Sequence, residues 1–158
     1  MSQRDSIVAA AQSSSILEAN GQGARVQAAM LDFGANLLAG AVPTSIAGLS
    51  VVGPFPIAAY RGWIGGIVSI DGSHRSRLTS LNGATYYLTT MVLQLLGYVL
   101  TMGAGVHVGL AAWRARRDQT VRSILGFRIP SLALRDAGYL YALAVPAFLA
   151  GSVWEFLA

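Results

Sequence analysis

Residues 84–113 read ATYYLTTMVLQLLGYVLTMGAGVHVGLAAW, thirty residues without a formal charge, opened by Tyr86 and Tyr87 and closed by Trp113. No other stretch constrains the chain so strongly. At 1.5 Å per residue about twenty residues cross a hydrocarbon core of ~30 Å, so this run predicts a tilted transmembrane helix with a turn or two left in the headgroups. Its aromatic residues mark the two interfaces. Gly97, Thr101, Gly105 and Gly109 recur at every fourth position. Such a stripe lets a neighbouring backbone approach closely where no hydrophobic force drives helices together. That face is expected to meet protein and not lipid.

The composition agrees. The chain is 54% hydrophobic and 11% charged, with 18 glycines in 158 residues and a mean hydropathy of +0.53, whereas a soluble domain carries about 25% charged residues. The basic balance comes from eleven arginines and no lysine, and six of the arginines fall between Arg114 and Arg135. In a membrane chain that clustering speaks of orientation and lipid headgroups before nucleic acid. Cysteine is absent, which removes disulfides, thiolate metal sites and a cysteine nucleophile. The first apolar run is five residues long, too short for the h-region of a signal peptide.

In chain order, residues 1–24 are a polar arm with one short helix expected over 6–19, capped by Ser6 and stopped by Asn20 and Gly21. The arm is expected to dock on a partner or on the protein's own surface. Residues 25–158 form a single transmembrane domain with spans at about 31–53, 54–70, 84–113 and 132–157. Pro43, Pro54 and Pro56 lie too close together for one straight helix, so the first two spans are expected as a proline- and glycine-broken hairpin. The second is short and carries Arg61, which fits either a tilted half-span or a re-entrant segment. Gly62 and Gly66 give it a close-packing face. The loop 71–83 is turn-rich and polar and holds His74, Arg75 and Arg77. After Trp113, arginines alternate with Val121, Ile124, Leu125, Phe127 and Ile129. This segment is expected on the membrane surface, with Arg114, Arg116, Arg117, Arg122 and Arg128 among the headgroups. The arginine excess places loop 114–136 in the cytoplasm and both chain ends on the other side. Pro146 is expected to kink the last helix, with Tyr139 and Tyr141 at one interface and Trp154 at the other. The fold class is thus all-α, a polytopic transmembrane helical bundle of about four membrane segments.

Two blocks, YYLTTMVLQLLGYVLTMGAGVHVGLAAW (86–113) and RDAGYLYALAVPAFLAGSVWEFLA (135–158), resemble the stage II sporulation protein M family, particularly its short versions outside spore formers. FGANLLAGAVP and the stretch 60–66 fit the same pattern. In that family a phenylalanine and an asparagine open the first helix, a glycine-rich block follows, and the last helix closes on small residues and a glutamate. Here these are Phe33, Asn36, the glycines from Gly62 to Gly66, Ala150, Gly151 and Glu155. The chain departs from relatives at Gly97 and His107. The resemblance implies an all-helical membrane scaffold with no catalytic residues to carry over, in a prokaryotic plasma or internal membrane.

Ionisable side chains inside a bilayer are costly and need a partner or an aqueous lining. Asp32 reads most simply as an interfacial acid at a helix N-terminus. Arg61 either snorkels to the interface or pairs with Asp32 or Glu155. Glu155 either sits at the surface or joins Asn36, Arg61 and Gln94 in one buried polar cluster linking the hairpin, the central helix and the last helix. That cluster would be structural glue or the lining of a pathway. His107 stands between Gly105 and Gly109, where small neighbours leave room for a haem or chlorophyll-type macrocycle on the imidazole; the plainer reading is a hydrogen-bonded packing histidine. No metal-ligand spacing, nucleophile elbow, P-loop or dinucleotide fingerprint occurs, so no enzyme, metal or cofactor is expected.

Three functions follow as expectations. The first is a scaffold or assembly subunit that packs through glycine-lined helices with itself or other membrane subunits and binds lipid. The second is a small transporter or channel subunit using the Arg61 and Glu155 charges. The third is an accessory or pigment-bearing subunit of an energy-transducing complex.

Overall fold

A computed structural model describes residues 14–70, 76–115, 121–124 and 127–158 of this chain, without the side chains of 68 and 121–127. Helix α1 (Ser15–Gly21) begins at Ser14, whose Oγ accepts from the Leu17 amide, and ends before Gly23, which takes the left-handed φ of +79°. The stop signal is thus Gly23 and not the expected Asn20 and Gly21, because a left-handed residue belongs just past the last helical turn. The part of the expected arm helix before Ser14 lies outside the described residues. α1 docks on the protein itself: Ala19 packs with Ala28, Ala29 and Phe156, flanked by Ile16 and Ala24.

Helix α2 runs without a break through three pieces, Arg25–Gly34, a π-helical stretch Ala35–Ala41, and Val42–Gly48. Pro43 follows directly on the π stretch. A proline lacks the N–H for the preceding turn and crowds the carbonyl four residues back, and widening that turn to i→i+5 spacing accommodates it. The Val42 amide accordingly bonds the Leu37 carbonyl, and Thr44 Oγ1 donates to Gly40 O at 2.7 Å. Pro54 and Pro56 sit in the first turn of α3 (Pro54–Val68), where a missing N–H costs nothing. The expected proline-broken hairpin is therefore present, with its break at 49–53 and Pro43 absorbed inside a helix.

Helix α4 (Leu81–Arg114) is capped by Ser80, whose Oγ accepts from the Gly83 amide at 3.1 Å, and α5 (Ser131–Leu157) starts directly after Pro130 and continues unbroken through Pro146. These two are long and apolar enough to cross a membrane. The 15 residues of α3 rise only about 22 Å, short of a ~30 Å hydrocarbon core.

Contacts along the helices set their directions. Asn36 of α2 meets Tyr98 of α4, Ser45 meets Thr101, and Leu49 meets Gly109, so α2 and α4 run parallel. Helix α5 is antiparallel to both, since Tyr141 reaches Ser45 whereas Glu155 reaches Gln94. Helix α3 also runs back, with Arg61 over Tyr98 and the Gly65 carbonyl accepting from Tyr87. The chain's C-terminus and the α1 arm therefore share one end, with Tyr86, Tyr87 and Trp154. The opposite end carries the α2–α3 turn, Trp113 and the connection from α4 to α5.

That connection corrects the all-α expectation. β1 (Val121–Ile124) and β2 (Phe127–Pro130) form an antiparallel hairpin with Arg122 opposite Ile129 and Ser123 opposite Arg128. In β2 the order Phe127, Arg128, Ile129 has the period of two that belongs to a strand.

The core lies along the small-residue stripe. A Cβ on Gly97 would stand 2.7 Å from the Phe148 ring, one on Gly48 would stand 2.8 Å from the Gly105 carbonyl carbon, and one on Gly109 would stand 2.5 Å from Leu49 O. Thr101 is fully buried, with its Oγ1 turned back to the Gly97 and Tyr98 carbonyls. The expectation that this face meets protein is met inside the chain: α2 and α5 cover it. Phe148 and Tyr98 stack edge to face at 4.9 Å between Ala41 and Ala144. The outer face is the reverse of a soluble bundle, since Leu88, Val92, Leu95 and Val99 of α4 all point outward. Large exposed apolar surface of this kind marks a contact with membrane or protein.

Candidate functional site: a polar network between four helices

Four of the expected cluster residues come together, and three more join them. On α2, Asp32 and Asn36 are one turn apart; Asn36 Nδ2 donates to Asp32 Oδ2 at 3.0 Å. Ser152 of α5 donates to the same carboxylate oxygen at 2.7 Å, and the Tyr98 hydroxyl of α4 donates to Asn36 Oδ1 at 2.6 Å. One turn before Tyr98, Gln94 Nε2 donates to Glu155 Oε2 at 2.9 Å. Glu155 follows Ser152 by three residues on α5, so the Asp32 and Glu155 carboxyls face the same interior, close enough to act on each other electrostatically. The Tyr86 hydroxyl closes the lower side by donating to the Glu155 carbonyl, while Trp154 Nε1 donates to Tyr86 O at 3.3 Å.

Arg61 enters from α3 and meets neither acid in an ion pair. Its guanidinium lies over the Tyr98 ring, 4.1 Å from the centroid, a cation–π contact that gains when it is shielded from water. Gly40 makes the space. A Cβ there would meet the Tyr98 hydroxyl and stand 3.0 Å from Arg61 Nη2. The π-helical turn holds both Asn36 and Gly40, so the segment that accommodates Pro43 also builds this part of the site.

The network is closed. Among the described residues no buried side-chain nitrogen or oxygen lacks a hydrogen-bond partner, which matters because an unmet polar group in an apolar interior costs about 1–3 kcal/mol. A second link ties three helices nearer the other end: Tyr141 of α5 donates to Ser45 Oγ of α2 at 2.6 Å, and Ser45 donates to the Thr101 carbonyl of α4 at 2.6 Å. Tyr141 thus packs between helices, while Tyr139 is the exposed member of that pair.

The other expected site residues lie elsewhere. His107 is outside the network, with a half-exposed side chain whose Nε2 is 3.6 Å from Asp136, itself 3.7 Å from Arg135. No group of three or more metal-ligating side chains occurs among the described residues. Gly62 and Gly66 face open space, with nothing within 4 Å of a Cβ added at either. Arg114 and Arg128 are exposed; Arg116 and Arg117, like His74 and Arg75, lie outside the described residues, as does the side chain of Arg122.

Tyr98 and Ser152 escaped the sequence reading, and Asp32 enters it only as an interfacial acid near the start of its helix or as a partner for Arg61; helix α2 begins at Arg25. That start places Asp32 two turns inside the helix. No family model, curated protein or solved structure matches this chain.

Proposed function

We propose that the chain is a non-enzymatic integral membrane scaffold, an assembly subunit that holds itself together through glycine-lined and hydrogen-bonded helices and offers α3 to a partner or a second copy. The observation that carries this reading is the contrast between α3 and the rest. Helices α2, α4 and α5 bury Gly40, Gly48, Gly97, Gly105, Gly109 and Gly151 against one another and leave Gly34, Gly103 and Gly138 open, whereas α3 keeps Gly62 and Gly66 open, four residues apart, beside exposed Phe55, Tyr60 and Trp63. An apolar face with two glycines four residues apart suits close helix association in lipid. The four-segment arrangement, the resemblance to the stage II sporulation protein M family and a prokaryotic plasma or internal membrane belong to the same reading. So does a cytoplasmic loop 114–136, which rests on its arginine excess.

The test is intact-complex mass after mild-detergent purification. The native chain is expected in a particle heavier than one copy, and Gly62→Leu with Gly66→Leu is expected to reduce it to a single chain with unchanged helicity. A native chain that runs alone refutes the reading.

A second reading, a small proton- or ion-conducting subunit, draws on the two facing carboxyls. Asp32, held by Ser152 and by Asn36 with Tyr98, and Glu155, held by Gln94, form two neighbouring hydrogen-bonded groups across three helices, and paired carboxyls inside a membrane can relay protons. It predicts flux in proteoliposomes that Glu155→Gln removes while the fold survives.

A further inference from the structure

At the end opposite the polar network, the α2–α3 turn, the last turns of α4 and strand β2 enclose a cavity of about 570 Å³. We propose that this cavity is a site for one anionic phospholipid, its phosphate on Arg128 and its apolar part along Leu49, Ala112 and Ile129. The inference rests on the membrane reading above and adds to it a single stoichiometric site.

Three observations converge there. The volume falls within the ~300–1,000 Å³ usual for small-ligand sites, too small for a whole two-chain lipid and large enough for a headgroup with the upper part of its chains. The walls are amphiphilic in the order a lipid needs. Leu49, Ala112 and Ile129 supply apolar surface, Trp113 stands at the mouth largely exposed, and Arg128 presents a guanidinium. Tryptophan at this position belongs to the headgroup level, and a guanidinium matches phosphate by two parallel hydrogen bonds. Among the described residues no carboxylate forms an ion pair with Arg128 or with the neighbouring Arg114, so none of them offsets the charge facing the cavity.

The wall also contains strain. Val51, which lines the cavity, has φ +66°, a left-handed conformation that is sterically disfavoured for a β-branched residue. Its amide bonds the Gly48 carbonyl at 2.8 Å, placing it where a helix end ordinarily puts glycine. Glycine would remove the strain and the isopropyl wall together; retaining valine keeps the wall.

The experiment uses the full chain in mild detergent, titrated with phosphatidylglycerol or phosphatidylcholine of matched chains, with bound lipid counted by native mass spectrometry. One phosphatidylglycerol per chain is expected, retained about tenfold more strongly than phosphatidylcholine, as one or two arginines at a headgroup would produce. Arg128→Gln should abolish that preference, and Ala112→Phe, which fills the cavity, should weaken both lipids. Circular dichroism checks each variant's fold, and either variant alone suffices if the other fails to fold. Equal retention of the two lipids, or a preference unmoved by both folded variants, overturns the site. Displacement of the lipid by millimolar inorganic phosphate overturns it in favour of a free-phosphate site. A chain that stays monodisperse without detergent overturns the membrane reading itself.

Discussion

The Phe148 ring lies directly on the α-carbon of Gly97, so close that a single methyl group at 97 would stand 2.7 Å from two ring carbons and 2.8 Å from a third. Phe148 is completely buried and its ring meets Tyr98 edge to face. This one contact fixes how near α5 comes to α4. Gly97→Ala is expected to destabilise the fold by about 1–3 kcal/mol through overpacking, and Phe148→Ala by about 3–5 kcal/mol through the cavity it leaves. The double variant Gly97→Ala with Phe148→Ala should cost less than the sum of the two single changes, because the smaller side chain makes room for the methyl. Reversible unfolding in mixed micelles measures all of them.

The glycines divide into two functional groups. Gly105 carries the Ser45 carbonyl against its α-carbon, whereas Gly62 and Gly66 touch nothing. Gly105→Leu should prevent folding of the single chain, while leucine at 62 or 66 should leave monomer stability within about 0.5 kcal/mol, as for a surface change. Thermal melts of the detergent-solubilised variants separate the two groups.

Glu155→Leu should be more damaging than Glu155→Gln. Leucine strands the Gln94 amide in an apolar interior, at a cost of about 1–3 kcal/mol; glutamine keeps an oxygen for it to donate to. Ser152→Ala removes one donor to Asp32 and should cost about 1 kcal/mol. A melt series over the three variants checks the order.

Val51→Gly should raise stability by about 0.5–1 kcal/mol, the relief of a left-handed β-branched residue less the added backbone entropy of glycine. The same variant should bind phosphatidylglycerol less tightly, since it opens one wall of the cavity.

Much of the architecture is legible in the residues. Helices α4 and α5 follow from long uncharged runs, and the start of α5 follows from Pro130, while α4 starts after Ser80, three residues before the expected 84. The fourfold spacing of Gly97, Thr101, Gly105 and Gly109 identifies a packing face correctly. Asn36, Arg61, Gln94 and Glu155 could be grouped as a cluster because polar residues in apolar helices must find each other. Strand β2 was legible too, in the alternation of Phe127, Arg128 and Ile129, and the membrane-surface reading of that segment obscured it.

Other features required the third dimension. Helical spacing shows that a face is small, and it cannot show which neighbour covers it; the stripe on α4 is filled by α2 and α5, the pair on α3 by none of the described residues. Nor does spacing pair Arg61 with the Tyr98 ring in preference to an acid, since that choice depends on the depth at which α3 meets α4 and on the opening left by Gly40. By itself the sequence determined that this chain is mostly helical, apolar on its outside and in need of internal partners for its few polar groups, because local periodicity and the cost of burying charge act residue by residue. Tertiary structure alone decided that Asp32 belongs with Ser152 and Glu155, and that a cavity opens beside Arg128. Both depend on helix directions and separations set by contacts between residues distant along the chain.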